Sequence, residues 1–159
     1  MKNIVRYITA ICICTIIFPV ISFANTKEER IISIEIQKMD NGDYIEVITS
    51  EAISQRMSKA MKLKSGSKIV NYKNASGNIM WYVKETGTFS YTGSISECID
   101  DEVHAESYNS AWKITSRSSD RYGNTATGNA TAKQYFDGSV IKTISRTVNV
   151  SCSATGEIY

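Results

Sequence analysis

Apolar and polar residues alternate with period two along most of this 159-residue chain, which restricts it to β structure. The pattern is clearest over residues 79–91, where large apolar side chains fall on odd positions. Turn sequences such as Asn-Gly and Asp-Gly recur between the alternating runs, and the only proline is Pro19. We therefore predict an all-β fold, an antiparallel sandwich or flattened barrel of about eight or nine strands.

Residues 1–24 have the layout of a secretory signal peptide. Lys2 and Arg6 precede an uncharged, mostly apolar stretch, and Ser22-Phe23-Ala24 supplies small residues at the positions that a signal peptidase reads. The alternative is a retained membrane anchor, but the apolar run contains a proline and is short against the roughly 20 residues of a membrane span. We expect cleavage after Ala24 and a secreted protein exported by the general secretory route.

Removal of this segment cancels the apparent basicity of the chain. The whole sequence has 18 basic and 16 acidic residues. Lys2 and Arg6 leave with the signal, which contains no acid, so the remainder is formally neutral. No charge argument for nucleic acid or for an anionic membrane survives, and we expect neither as a partner after cleavage.

Two of the four cysteines, Cys12 and Cys14, lie in the predicted signal, which leaves Cys98 and Cys152. In an exported chain an even pair indicates a disulfide bond first. Closing a loop of about 55 residues would stabilise the fold by roughly 4 kcal/mol in the chain-entropy model. A metal or redox pair is the alternative, which the single His104 and the lack of Cys-x-x-Cys disfavour. No cofactor is predicted.

Beyond the signal, the chain divides into a hairpin with a connector (25–66) and a disulfide-closed β-domain (67–159). The hairpin is predicted around the turn Asp40-Asn41-Gly42-Asp43, since Asn-Gly accepts positive φ at little cost. Residues 31–50 are expected to pack with the β-domain as one globular unit. Residues 50–66 stay ambiguous: apolar residues at helical spacing favour a short helix near 52–62, whereas crowded basic residues favour a connector.

A second hairpin is predicted around the loop at 108–111. In its expected register Glu106 faces Lys113, and Glu102 faces Arg117, with His104 opposite Thr115 between them. Opposite charges across a strand pair help to set its register.

Small residues form one face of the following strand: Ala126, Gly128, Ala130 and Ala132. Such a row needs a large neighbour, so we expect Trp81 or Trp112 against it. At Gly87 a β-bulge or a crossing side chain is expected. The inward face of the last strand is predicted from its spacing to be Val140, Ile144, Val148, Val150 and Cys152.

Residues 77–152 carry a series of motifs in a specific order: Gly87–Ser94, Cys98, Trp112–Ile114, Gly123–Thr127, Ala130–Lys133 and Val148–Cys152. In these motifs the chain resembles a family of small secreted β-rich proteins of Gram-positive bacteria whose function is not established. The resemblance implies a β-domain with its two cysteines paired. It implies no activity, because the family has no assigned catalytic residues.

The acidic residues cluster around His104. Alternation places Asp100, Glu102, His104 and Glu106 on one face, a pattern that a calcium or zinc site could use. Because Lys113 and Arg117 are expected opposite, we interpret the face as solvated cross-strand ion pairs and predict no metal site.

Catalytic motifs are sparse. His104 is the sole histidine, and no serine stands in a Gly-x-Ser-x-Gly turn. We predict a non-catalytic protein, with a small hydrolase using His104 as the disfavoured alternative.

Aromatic residues on polar faces and beside turns form the candidate binding set: Tyr82, Tyr108, Tyr122, Tyr135 and Phe136. Such residues could form a rim that binds a sugar or a peptide, although tyrosine is also common on β-rich surfaces. We predict a binding or interaction module at or outside the bacterial cell surface, with a glycan, peptide or cell-surface protein as partner. A secreted antagonist or immunity factor in bacterial competition is the alternative.

Overall fold

A computed structural model describes residues 29–52 and 62–159. Within these segments the chain forms eight antiparallel strands and no helix, so the all-β prediction is confirmed. The predicted signal peptide lies outside the described residues, as do residues 53–61 of the ambiguous segment. No helix in the described segments is long and apolar enough to cross a membrane. The strands are β1 (Glu29–Lys38), β2 (Tyr44–Ala52), β3 (Lys62–Lys73), β4 (Ile79–Tyr91), β5 (Ser96–Ser107), β6 (Trp112–Tyr122), β7 (Thr125–Phe136) and β8 (Ser139–Ser151).

Two sheets of consecutive strands build the sandwich. One has the order β1-β2-β3-β4-β5 and the other β6-β7-β8, and they do not close into a barrel. The turns at 39–43, 74–78, 108–111 and 137–138 gather at one end, which we call the four-turn end. The opposite end, which we call the tail end, holds the turns at 92–95 and 123–124 and the last residues of the chain.

The predicted first hairpin is present. The amide of Gly42 donates to the carbonyl of Met39 at 3.0 Å, and Gly42 takes a φ of +84°, which a side chain would disfavour. Ile45 of β2 joins the main core, which ties the hairpin to the rest of the sandwich. β3 begins at Lys62, inside the segment assigned from the sequence to the connector.

The second predicted hairpin is wrong. β5 pairs with β4, and β6 pairs with β7 in the other sheet, so His104 lies opposite Lys84 and not Thr115. The loop at 108–111 carries the chain across from one sheet to the other. Crossing places Trp112 between the sheets, where its ring lies 5.2 Å from that of Tyr72. Burial of this ring outweighs the few tenths of a kcal/mol that each exposed cross-strand ion pair would contribute.

The core forms where the inner face of β4 packs on β7. As predicted, the row of small residues is buried and meets large rings: Ala130 and Ala132 share a cluster with both Trp81 and Trp112. The two indole rings are themselves 6.4 Å apart. Small side chains on β7 therefore leave the volume that two tryptophans fill.

A second buried cluster lies at the tail end and contains Phe89, Cys98, Ala126, Val150, Cys152 and Ile158. The prediction for the last strand is confirmed for all positions but one: Ile144, Val148, Val150 and Cys152 are buried, whereas Val140 is 47% exposed. The register between β7 and β8 shifts between Gln134 and Tyr135, which separates Val140 from the inward series.

Gly87 is explained by a crossing side chain. The β3–β4 register runs without a shift past this glycine, so the alternation of β4 is preserved, whereas the β4–β5 register shifts between Thr88 and Phe89. The ring of Phe89 folds over Gly87, and an added Cβ would lie 2.5 Å from Phe89 Cζ and 3.1 Å from Ala126 Cβ. Glycine is required here because the ring occupies the space of a side chain.

The substitution Gly87→Ala is expected to lower the free energy of unfolding by about 1–3 kcal/mol, the usual cost of overpacking. Chemical denaturation monitored by tryptophan fluorescence measures the change. Ser90→Ala, on the other face of the same strand, is the control and should change stability by less than about 0.5 kcal/mol. Equal stability of Gly87→Ala and the parent protein would contradict the position of the Phe89 ring.

Candidate binding face

The face of the five-stranded sheet that points away from the other sheet is called the outer face. It carries isoleucines on β1, β2 and β3 (Ile34, Ile48 and Ile69) and mostly polar side chains over the rest of β3, β4 and β5. The even residues of β4 point outward, and the β3 residues paired with them point the same way. Thr86 and Thr88 of β4 therefore lie beside Ser67 and Ser65 of β3 on this face. Ser50 and Ser67 are linked by a 2.8 Å hydrogen bond, and Ser65 and Thr88 by one of 3.2 Å. These bonds hold a ladder of hydroxyl groups across three strands.

A cavity of ≈ 240 Å³ opens on this face, and we call it the hydroxyl cleft. Its hydroxyl groups come from β3 and β4, and its acids come from β1 and β5. The side chains that define it are Ser65, Ser67, Thr86, Thr88, Glu29, Asp100 and Glu102. The cleft therefore offers many hydrogen-bond acceptors, several of them charged.

Glu29 is held in place at one side of the cleft. Its carboxylate accepts a hydrogen bond from Lys84 Nζ at 3.0 Å and another from Ser50 Oγ at 3.0 Å. Burial acts to raise the pKa of Glu29, but the bonds from Lys84 and Ser50 outweigh it, so the pKa lies below its usual value. Glu29 is therefore ionised at neutral pH and forms an ion pair with Lys84.

Three rings lie together on the same face, towards the four-turn end. Tyr82 and Tyr108 are stacked with ring centroids 5.7 Å apart, and the ring of His104 lies 5.8 Å from that of Tyr82. We call these three residues the aromatic platform. Tyr108 is 61% exposed, so one side of the platform is open to a ligand. Burial raises the pKa of Tyr82 to about 12, with smaller contributions from Tyr108 and Glu106.

The remaining predicted aromatic residues do not join this platform. Tyr135 and Phe136 lie at the end of β7 in the three-stranded sheet, where Lys113 Nζ sits 5.2 Å from the Tyr135 ring centre. Tyr122 is 90% exposed at the tail end, at the far end of β6 from Trp112. The five predicted residues therefore do not share one surface: Tyr135 and Phe136 lie at the four-turn end but in the other sheet, and only Tyr122 lies at the tail end.

The acidic residues of β5 share one exposed face, as expected: Asp100, Glu102 and Glu106 turn outward with His104. Their partners differ from the predicted ones. Asp101 turns the other way and binds Arg121 of the second sheet, with Nη1 at 3.2 Å. No group of three or more histidine, cysteine or acidic side chains is placed to hold a metal ion among the described residues.

Cys98 and Cys152 are free thiols in the structure and belong to the same buried cluster at the tail end. Their amides bond neighbouring residues of one turn: Cys98 N donates to Gly123 O at 2.7 Å, and Cys152 N to Asn124 O at 3.1 Å. Burial raises the pKa of both thiols. The disulfide stays a prediction.

One chemically notable residue was missed from the sequence. Glu85 lies on the buried face of β4 and is 0% exposed. Its odd position, between Val83 and Gly87, already placed it on the apolar face. The alternation was the available signal, although glutamate is seldom fully buried.

Three comparisons with known proteins found no match for this chain. No family model, no curated protein and no solved structure matches it. The resemblance to exported Gram-positive proteins thus stays a prediction, and function has to be argued from the chain's own residues.

Replacing Lys84 by methionine should raise the pKa of Glu29 towards 4.5, because the Lys84 hydrogen bond and charge act to lower it. Carbon-detected NMR titration of the carboxyl groups measures the change. Glu46 is the internal control, since its lowered pKa depends mainly on a hydrogen bond from Lys73. If Glu29 titrates at the same pH in both proteins, Lys84 is not its partner in solution.

Proposed function

We propose that this protein is a secreted, non-catalytic binding module whose outer face recognises a glycan. The observation that carries the proposal is the aromatic platform beside the hydroxyl cleft on one sheet face. Aromatic rings stack on the apolar face of a sugar ring, while hydroxyl and carboxylate groups bond its hydroxyls. That pairing of a flat apolar surface with a few convergent polar groups is typical of small-ligand recognition.

The platform and the cleft are close enough for one ligand. Tyr82, Lys84 and Thr86 are successive outward positions of β4, and such positions are about 7 Å apart along a strand. Tyr82 belongs to the platform and Thr86 to the cleft, with Lys84 between them. A short oligosaccharide that stacks on the rings would therefore reach the hydroxyl groups. Glu29 is paired with Lys84. Asp100 and Glu102, however, add two further acidic side chains to the cleft, and this acidic excess favours a sugar that carries an amino group.

Binding through this face is consistent with a protein that acts outside the cell. A module that acts by contact outside the cell needs a stable exposed surface and no cofactor. We propose that the chain is cleaved after Ala24, is released from the cell, and meets its glycan at the surface of a bacterium. A lysine-bearing peptide would be the other ligand class for an acidic cleft, and the binding experiment separates the two.

Tyr108→Ala should weaken glycan binding by roughly 2–10-fold, the value of one aromatic contact. The protein from residue 25 onward would be tested on an array of cell-wall and amino-sugar glycans, with lysine-rich peptides on the same array. Tyr122→Ala is the matched control and should bind like the parent protein, because that ring lies at the other end of the sandwich. Retention of peptides alone, or of nothing, would refute glycan recognition.

We further propose that oxidation joins Cys98 to Cys152 after export, with an extracytoplasmic disulfide oxidoreductase accepting the two electrons and two protons. Their membership in one buried cluster supports the pairing, since a bond there would join β5 of one sheet to the chain directly after β8 of the other. The exported protein should have a mass two hydrogens below the thiol form and should yield a Cys98–Cys152 linked peptide. Two alkylatable thiols in that material would contradict the proposal.

A further inference from the structure

Glu85 is a carboxyl group sealed between the two sheets. The side chain is 0% exposed, and neither carboxyl oxygen has a hydrogen-bond partner among the described residues. A charged carboxylate without a partner is very costly to bury, whereas a neutral acid costs far less. The site therefore favours the protonated form.

The residue opposite Glu85 in the other sheet is Gly128 of β7. An added Cβ at Gly128 would collide with Glu85 Oε2 and would lie 3.1 Å from both Glu85 Cβ and Val103 Cγ2. The carboxyl group thus occupies the space where β7 carries no side chain. The two sheets therefore touch here through the neutral Glu85 carboxyl, which packs against the backbone of Gly128.

Charged groups approach Glu85 from several strands. Lys68 of β3 lies directly across the strand pair, but it forms no ion pair with Glu85. On β5, Asp101 and Glu102 oppose ionisation, and Asp101 is engaged by Arg121 of β6. The β7 residues facing Glu85 are glycine and alanine, and on β8 Arg146 shares the inward face with Val148.

We propose that Glu85 is a proton-controlled contact between the sheets, closed on Gly128 when the carboxyl is protonated and weakened when it ionises. Burial, followed by the charges of Asp101 and Glu102, raises the pKa of Glu85 to about 7 from the usual 4.5. The folded protein consequently binds more protons than the unfolded chain between these two pH values. The protonated Glu85 therefore stabilises the fold fully below about pH 4.5, and this stabilisation is lost as the pH rises through 7.

Denaturation of the parent protein and of Glu85→Gln between pH 4 and pH 8.5 tests this proposal. The glutamine keeps the shape of the acid and cannot ionise, so the ratio of parent to variant unfolding midpoints should fall between about pH 4.5 and pH 7 and level off above pH 7. Glu97→Gln removes an exposed carboxyl from the neighbouring strand and should follow the parent protein. A constant ratio for Glu85→Gln across this range would overturn the proposal.

A second measurement does not depend on the variant folding. In carbon-detected NMR of the parent protein, one glutamate carboxyl should titrate with a midpoint near 7, accompanied by shifts in the Gly128 amide signal. Titration of every glutamate below pH 5.5 would also refute the proposal. Both results are independent of glycan binding, because Glu85 faces away from the outer face.

Discussion

The structure depends on the packing of one strand face against another. The inner residues of β4 are large, and the facing residues of β7 are alanine and glycine, so the two sheets approach closely at the centre. Trp81 lies over the alanines, Phe89 meets Ala126, and Glu85 meets Gly128. Each small residue of β7 packs against a particular large residue of β4. This matching fixes the position of one sheet relative to the other along the strand direction.

This packing separates a buried interior from the solvent-exposed outer face. Because β4 alternates strictly, its outward residues are free to carry tyrosine, lysine and threonine while its inward residues build the core. The rigid centre thereby positions Tyr82 and Thr86 on a fixed surface beside the acids of β5. Side chains on strands are held more precisely than those on loops, so Tyr82 and Thr86 form the fixed part of the face and Tyr108 of the 108–111 loop completes it.

Local patterns were sufficient for most of the strands. Alternation, Asn-Gly turns and the row of small residues predicted the all-β class, the first hairpin and the burial of the tryptophans, because each is a property of neighbouring residues. The same reasoning failed at Trp112 and at Glu85. Charge matching favoured a hairpin of β5 with β6, and no local pattern singled out Glu85. In both cases packing between the two sheets outweighed the local preference.

Sequence alone determined which residues of a strand share a face, because a strand's side chains alternate regardless of its neighbours. Only the tertiary structure decided which strands share a sheet, and therefore which aromatic residues meet. Tyr82 and Tyr108 come together because β5 pairs with β4, while Tyr135 and Phe136 lie in the other sheet because the chain crosses over after β5. The free energy gained by burying large rings between the sheets decides this pairing. It depends on residues that are far apart in the chain, so no short stretch of sequence reveals it.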